Sequence, residues 1–129
     1  MQLHQLPDLS RAEHDIFQVL WQHGQQSIRE VHDQLDNDWA YSTTKTVMDR
    51  LTKKGLLSRD NFHGVFLYRA MIDRPTGLAK RVRYFAERVL KLDHTTVIAL
   101  LAQRGELSSE EINKLRRLIE LDIQHDNAQ

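Results

Sequence analysis

Apolar residues recur along this chain in short helical stripes, most of them opened by a polar capping signature. Ser10-Arg11-Ala12-Glu13 has the form of a capping box, in which the Ser hydroxyl accepts a backbone N–H and Glu13 reaches back to the Ser N–H. Ala12, Ile16, Val19 and Leu20 follow at helical spacing, Phe17 and Trp21 widen the stripe, and Gly24 offers a stop. Ser27-Ile28-Arg29-Glu30 repeats the box ahead of Ile28, Val31 and Leu35, and Asp36-Asn37-Asp38 breaks this second helix. A third helix is predicted from Tyr41, with Gly55 closing it in the left-handed conformation. Its apolar stripe is only Val47, Met48 and Leu51, enough to dock it on a core; the rest of its surface is hydroxyls and cations.

The period then changes. Leu56–Asp60 and Val65–Ala70 are β-rich and flank the turn formers Asn61-Phe62-His63-Gly64, which predicts a hairpin. Three helices followed by a hairpin fit a winged helix better than a plain bundle. Asp73-Arg74-Pro75-Thr76-Gly77 marks a boundary. Beyond it, Leu78, Val82, Phe85, Val89 and Leu92 lie on a long basic helix. Thr95 or Thr96 opens a short apolar helix over Val97–Leu101, ended by Gly105. Ser108-Ser109-Glu110-Glu111 caps a last helix with Ile112, Leu115, Leu118, Ile119 and Ile123 on its apolar side.

The expected fold is therefore mainly α with a small β-hairpin wing: a winged helix-turn-helix domain over residues 1–72, then a three-helix dimerisation domain over residues 73–129. The second domain is short for burying three amphipathic helices alone. A second copy of the chain is expected to complete its faces through Leu78, Val82, Phe85, Val89, Val97, Leu101, Ile112, Leu115 and Ile119; the alternative is that they fold back onto the first domain.

Charge sharpens the picture. The chain of 129 residues has a formal net charge of zero, which argues at first against nucleic acid. Residues 1–42 carry net −5, residues 43–91 carry +8 and residues 92–129 carry −3. Fields are screened over roughly 10 Å at ordinary salt, so the basic middle matters more than the total. It contains the third helix and the hairpin. In a helix-turn-helix the second helix crosses the DNA backbone and the third enters the major groove. Ser42, Thr43, Lys45 and Thr46 in the first turns are then candidates for base edges, with Arg50 one turn further. Lys53 and Lys54 are expected on phosphates, where they position rather than specify. Arg59, His63 and Arg69 lie in or near the wing, suited to phosphate or minor-groove contact; Tyr68 and Trp39 read as packing groups.

Other chemistries fare worse. Cys is absent, which excludes disulfides, thiolate metal sites and cysteine nucleophiles. The seven histidines, His4, His14, His23, His32, His63, His94 and His125, are scattered without ligand spacing, so neither metal nor cofactor is expected. No glycine-flanked serine, HExxH or phosphate-cradling glycine loop is present, so no enzyme is expected. No apolar run approaches a membrane span and the N-terminus lacks a secretory pattern, so a cytoplasmic location is expected.

The order of these motifs resembles the penicillinase-repressor family, which includes the BlaI and MecI repressors and related copper-responsive repressors. The resemblance rests on LSRAEHDIFQVLW, SIREVHDQL, WAYSTTKTVMDRLTKKGLLSRD and FLYRA. Its most specific block runs from Trp39 through Thr43, Thr46, Arg50-Leu51 and Lys54-Gly55-Leu56 to Leu57, with Tyr68 of the wing as companion. The resemblance implies a homodimeric winged-helix repressor whose recognition helix reads an inverted repeat, commonly of TACA/TGTA type, in double-stranded DNA. The contacts it implies here are Ser42, Thr43, Lys45, Thr46 and Arg50, with the wing adding backbone contacts. Ala40 departs from the pattern, since relatives often have Ser there, and this puts the start and cap of the third helix in question.

Induction transfers less well. In the β-lactamase branch a membrane sensor protease signal leads to cleavage within the C-terminal domain. The matching segment here, at Leu100 and Leu101, lacks the Asn-Phe pair of those repressors. The copper branch uses a cysteine-rich C-terminal motif, whereas this chain ends IQHDNAQ. The rival to a repressor is a winged-helix module that binds protein and not DNA, a reading that the acidic first and last segments keep open.

Overall fold

The structure, a computed structural model, describes residues 6–128. The described residues fall into two compact units: Ser10–Asp73, and residues 74–128 together with residues 6–9. Residues 6–9 thus group with the C-terminal helices, and Leu6 enters their apolar cluster.

In the first unit, α1 (Arg11–His23), α2 (Ile28–Gln34) and α3 (Tyr41–Lys53) precede the strands β1 (Leu57–Phe62) and β2 (Val65–Ala70). Both predicted capping boxes form, with Ser10 against Glu13 and Ser27 against Glu30. Each satisfies two of the N–H groups that a helix start leaves unpaired. Ile16, Phe17 and Leu20 of α1, Ile28 and Val31 of α2, and Met48 and Leu51 of α3 are buried.

Gly55, at φ 80°, closes α3 as expected. Its N–H donates to Thr52 O at 3.0 Å and that of Leu56 to Leu51 O at 3.0 Å, the paired bonds of a Schellman turn. The strands pair antiparallel from Leu57↔Ala70 to Phe62↔Val65. β1 thus runs through Phe62, and the turn is only His63-Gly64, at φ 50° and 86°. Two central residues at positive φ match the right-handed twist of a tight hairpin, and the Asn61 side chain accepts from the Gly64 N–H at 2.9 Å. Leu57 and Tyr68 turn inward and are buried. Gln26 bridges Tyr68 through two backbone bonds of 3.0 and 2.7 Å, and the Trp21 indole N–H donates to Ile72 O at 2.9 Å. The wing is thereby tied at its base to α1 and to the segment before α2.

The second unit holds α4 (Arg74–Tyr84), a π-helical extension (Phe85–Leu90), α5 (His94–Arg104) and α6 (Ser109–Asn127). The boundary segment is itself a helix start: Pro75, Thr76 and Gly77 are buried in the first turn of α4, where a missing proline N–H costs nothing. α5 is capped by Asp93, not by a threonine; its carboxylate accepts from the Thr95 N–H at 2.8 Å and from the Thr95 hydroxyl at 2.7 Å. The Ser108 capping box on α6 forms as predicted.

Ala79, Val82, Ala86, Val97, Ile98, Ile112, Leu115, Leu118 and Ile119 form one core cluster with Leu6. Arg83 adds a polar tie between α4 and α6, reaching Asp122 at 2.7 Å, Asp126 at 2.6 Å and Glu87 at 3.1 Å. Burial disfavours its charge, but the three carboxylates outweigh that and hold the guanidinium firmly protonated. The wider π-helical turns shift the side-chain phase, so the stripe expected to run inward to Leu92 turns outward at Phe85, Val89 and Leu92. No helix among the described residues is long and apolar enough to cross a membrane.

Candidate nucleic-acid interface

Two faces of α3 divide its work. Met48 and Leu51 are buried, and so is Thr44, whose hydroxyl sits 2.7 Å from Nδ1 of His32 on α2. Ser42, Thr43, Lys45, Thr46, Arg50, Lys53 and Lys54 are all exposed. Ala40 caps the helix by its backbone alone, its carbonyl accepting from Thr43 N at 3.0 Å and Thr44 N at 3.2 Å. The hydroxyls of Ser42 and Thr43 are therefore not consumed as caps. Thr46 differs, because its hydroxyl donates back to Ser42 O at 2.9 Å.

The cations are also of two kinds. Arg50, Lys53, Lys54 and Arg69 make no ion pair among the described residues. Lys45 and Arg59 converge on Asp49, at 2.8 and 3.9 Å, and the Tyr68 hydroxyl donates to the same carboxylate at 3.1 Å. Burial pushes the Asp49 carboxyl up, but the bonds from Lys45 and Tyr68 and the charges of Lys45 and Arg59 outweigh it, so its pKa ends below the ordinary carboxylate value. The bond to Asp49 raises the Lys45 ammonium in turn. Desolvation raises the Tyr68 phenol, which stays protonated as a donor. Arg59 also lies 4.3 Å over the Phe66 ring. At the wing tip His63 stacks edge-on with Phe62, a residue 61% exposed.

Arg29 of α2 lies 4.2 Å over the Tyr41 ring at the start of α3, with His32 edge-on to the same ring. The sequence singles out neither the grouping of Asp49 with Lys45, Tyr68 and Arg59 nor the His32–Thr44 contact. The first had a readable signal, since Lys45 and Asp49 stand four apart on a helix. The second had none, because a threonine between two others on a polar helix carries no mark of burial.

In the second unit Val82, Val97, Ile112, Leu115 and Ile119 are buried in its own cluster, and Leu78 and Leu101 pack partly against it. Phe85 and Val89 are exposed, with Tyr84, Leu90, Leu92 and Leu100. A groove of about 770 Å³ runs among Leu9, Val82, Tyr84, Phe85, Val89 and Leu101. Leu100 and Leu101 lie within α5. Among the described residues no group of three or more His, Cys, Asp or Glu side chains is placed to hold a metal ion; His4 lies outside them.

A three-helix unit with a hairpin wing, presenting a cationic third helix, is a winged helix. The penicillinase repressor family matches residues 9–121, and the chain belongs to that family of transcriptional repressors. The penicillinase repressor of Bacillus licheniformis is 29% identical over 117 residues, covering 89% of this chain and 91% of that protein. The methicillin resistance regulatory protein MecI of Mammaliicoccus sciuri is 25% identical over 114 residues, covering 87% and 93%. The penicillinase repressor of Staphylococcus aureus is 23% identical over 114 residues, covering 87% and 90%.

Proposed function

We propose that this chain is a homodimeric repressor that lays α3 in the major groove of an inverted-repeat operator. The observation that carries the reading is the outer face of α3. In a chain of zero net charge it presents Ser42 and Thr43 with hydroxyls uncommitted to capping, and Arg50, Lys53 and Lys54 without an acidic partner among the described residues. Ser42, Thr43, Lys45, Thr46 and Arg50 take base edges in this reading. Lys53 and Lys54 take phosphates, and Arg59, His63 and Arg69 take the backbone beside the wing.

A second copy is the partner suited to the exposed Tyr84, Phe85, Val89, Leu90, Leu92 and Leu100, since apolar surface of this extent marks an interaction site and repressors of inverted repeats bind as symmetric pairs. Derepression by an upstream signal belongs to the same reading. If the signal is proteolysis at Leu100-Leu101, α5 has to open locally first, because that bond lies inside a helix.

Selection of bound duplexes from a random pool, followed by footprinting, tests the proposal. The expected result is an enriched inverted repeat protected at two half-sites about one helical turn apart. No enriched motif, together with a stoichiometric protein partner in a pull-down, would replace it with the protein-binding module.

A further inference from the structure

Reading DNA with α3 leaves one residue out of place. Asp49 stands on the same side of the helix as Lys45, and a carboxylate there repels a phosphate backbone. Yet Asp49 is the most heavily partnered group of the surface: Lys45 from its own helix at 2.8 Å, the Tyr68 hydroxyl at 3.1 Å and Arg59 at 3.9 Å, the last two from the wing. Tyr68 is only 1% exposed, so the carboxylate is fixed to the core of the domain. Arg59 is held from its other side by the Phe66 ring. One acid thus joins a recognition-helix cation and a wing cation to a buried tyrosine.

We propose that Asp49 is a positioning and specificity-determining residue, which aims Lys45 and Arg59 and withholds Lys45 from phosphates on the wrong sequence. This rests on the DNA reading of α3. The physical logic lies in the donor count. A lysine ammonium has three N–H donors, so Lys45 can keep its bond to Asp49 and still donate to the O6 and N7 acceptors of a guanine edge. A phosphate on a non-cognate duplex gains little from a cation already neutralised and meets the Asp49 carboxylate as a like charge, whereas a neutral guanine edge has no charge for that carboxylate to repel. Asp49 therefore costs more on non-specific DNA than on the cognate site, and the difference between the two is specificity.

The test uses the full chain, the duplex that the parent protein enriches from a random pool, and a scrambled duplex of equal length. Asp49→Asn is expected to bind the scrambled duplex more tightly, with the slope of log affinity against log salt steeper by about 0.9, one further phosphate neutralised. It is expected to bind the enriched duplex more weakly, so the ratio of the two affinities falls about tenfold, the scale of one good base contact. Tyr68→Phe, which loosens the carboxylate and keeps the ring, moves the ratio the same way by less. In a Lys45→Ala background, Asp49→Asn weakens the enriched duplex by less, since only the aim of Arg59 is then left to lose. A role in folding alone would lower both affinities together and leave the slope unchanged, and that result overturns the proposal. An unchanged ratio in both Asp49→Asn and Tyr68→Phe also overturns it, while leaving the DNA reading intact. A parent protein that enriches no duplex defeats the DNA reading and this inference with it.

Discussion

Thr44 Oγ1 and His32 Nδ1 lie 2.7 Å apart, a side-chain bond between the two helices of the helix-turn-helix. Thr44 is fully buried on a helix where Ser42 and Thr43 beside it are exposed. The bond ties α2 directly to α3. Thr44→Val keeps the volume and removes the bond, and is expected to destabilise the protein by about 1 kcal/mol, the ordinary net value of such a bond. Urea unfolding measures it; an unchanged midpoint would show that the contact has no energetic weight.

Arg83 anchors α4 to α6 through Asp122, whose side chain is 8% exposed. Removing the cation leaves that acid uncompensated. Arg83→Leu is expected to cost about 3–5 kcal/mol, the scale for breaking a buried pair from one side. Arg83→Leu with Asp122→Leu should recover much of the loss, because the desolvation cost disappears with the charge. Thermal unfolding of the single and double variants decides between this network and a merely decorative one, which would show equal, small shifts.

The winged-helix unit was legible because its signals are local. Two capping boxes, a glycine after α3 and a Gly-containing turn each act within a few residues, and each forms where its sequence lies. The outward face of α3 was legible for the same reason. The second unit was less so. Helical spacing continues unbroken through Leu92, but it cannot show where the backbone widens into π-helical turns and sends Phe85 and Val89 outward. Nor does a stripe of apolar residues say whether its partner is the same chain: Ile112, Leu115 and Ile119 find theirs within the unit. The grouping of Asp49 with Tyr68 and Arg59 depends on how the hairpin lies on α3, a long-range fact outside any local window.

The exposed apolar residues beside the α4–α5 groove carry the dimer proposal. Val89, at 55% exposure, makes little contribution to its own unit, so Val89→Asp should leave the fold intact. It should convert a dimer to a monomer in sedimentation velocity, with helix content by circular dichroism unchanged. A parent protein that sediments as a monomer at micromolar concentration would remove the dimer from the proposed function.

Arg50 and the Lys53-Lys54 pair should separate in kind. Arg50→Ala is expected to weaken the enriched duplex by about 1–3 kcal/mol and to relax preference at one base position. Lys53→Ala and Lys54→Ala should weaken enriched and scrambled duplexes alike, each lowering the salt slope by about 0.9. Titrations at several salt concentrations on both duplexes make the distinction. A Lys53 variant that alters sequence preference, or an Arg50 variant that does not, would reverse their roles.

Acid should dismantle the Asp49 hub. The folded protein holds this carboxyl below its ordinary value, against burial, through Lys45, Tyr68 and Arg59. A depressed folded pKa means that the folded state resists protonation more than the unfolded chain does, so the contribution to stability is complete above the ordinary carboxylate range near pH 4 and fades as pH falls through the depressed value. Asp49→Asn removes the contribution at every pH. The carboxylate is 29% exposed, and with solvent screening its part is about 1 kcal/mol. Parent and variant should therefore differ by that amount at pH 7 and converge below pH 4 in unfolding curves taken at matched ionic strength. A difference that grows on acidification would place the stabilising proton on the wrong side and contradict the assignment of Asp49 as the charged centre of the hub.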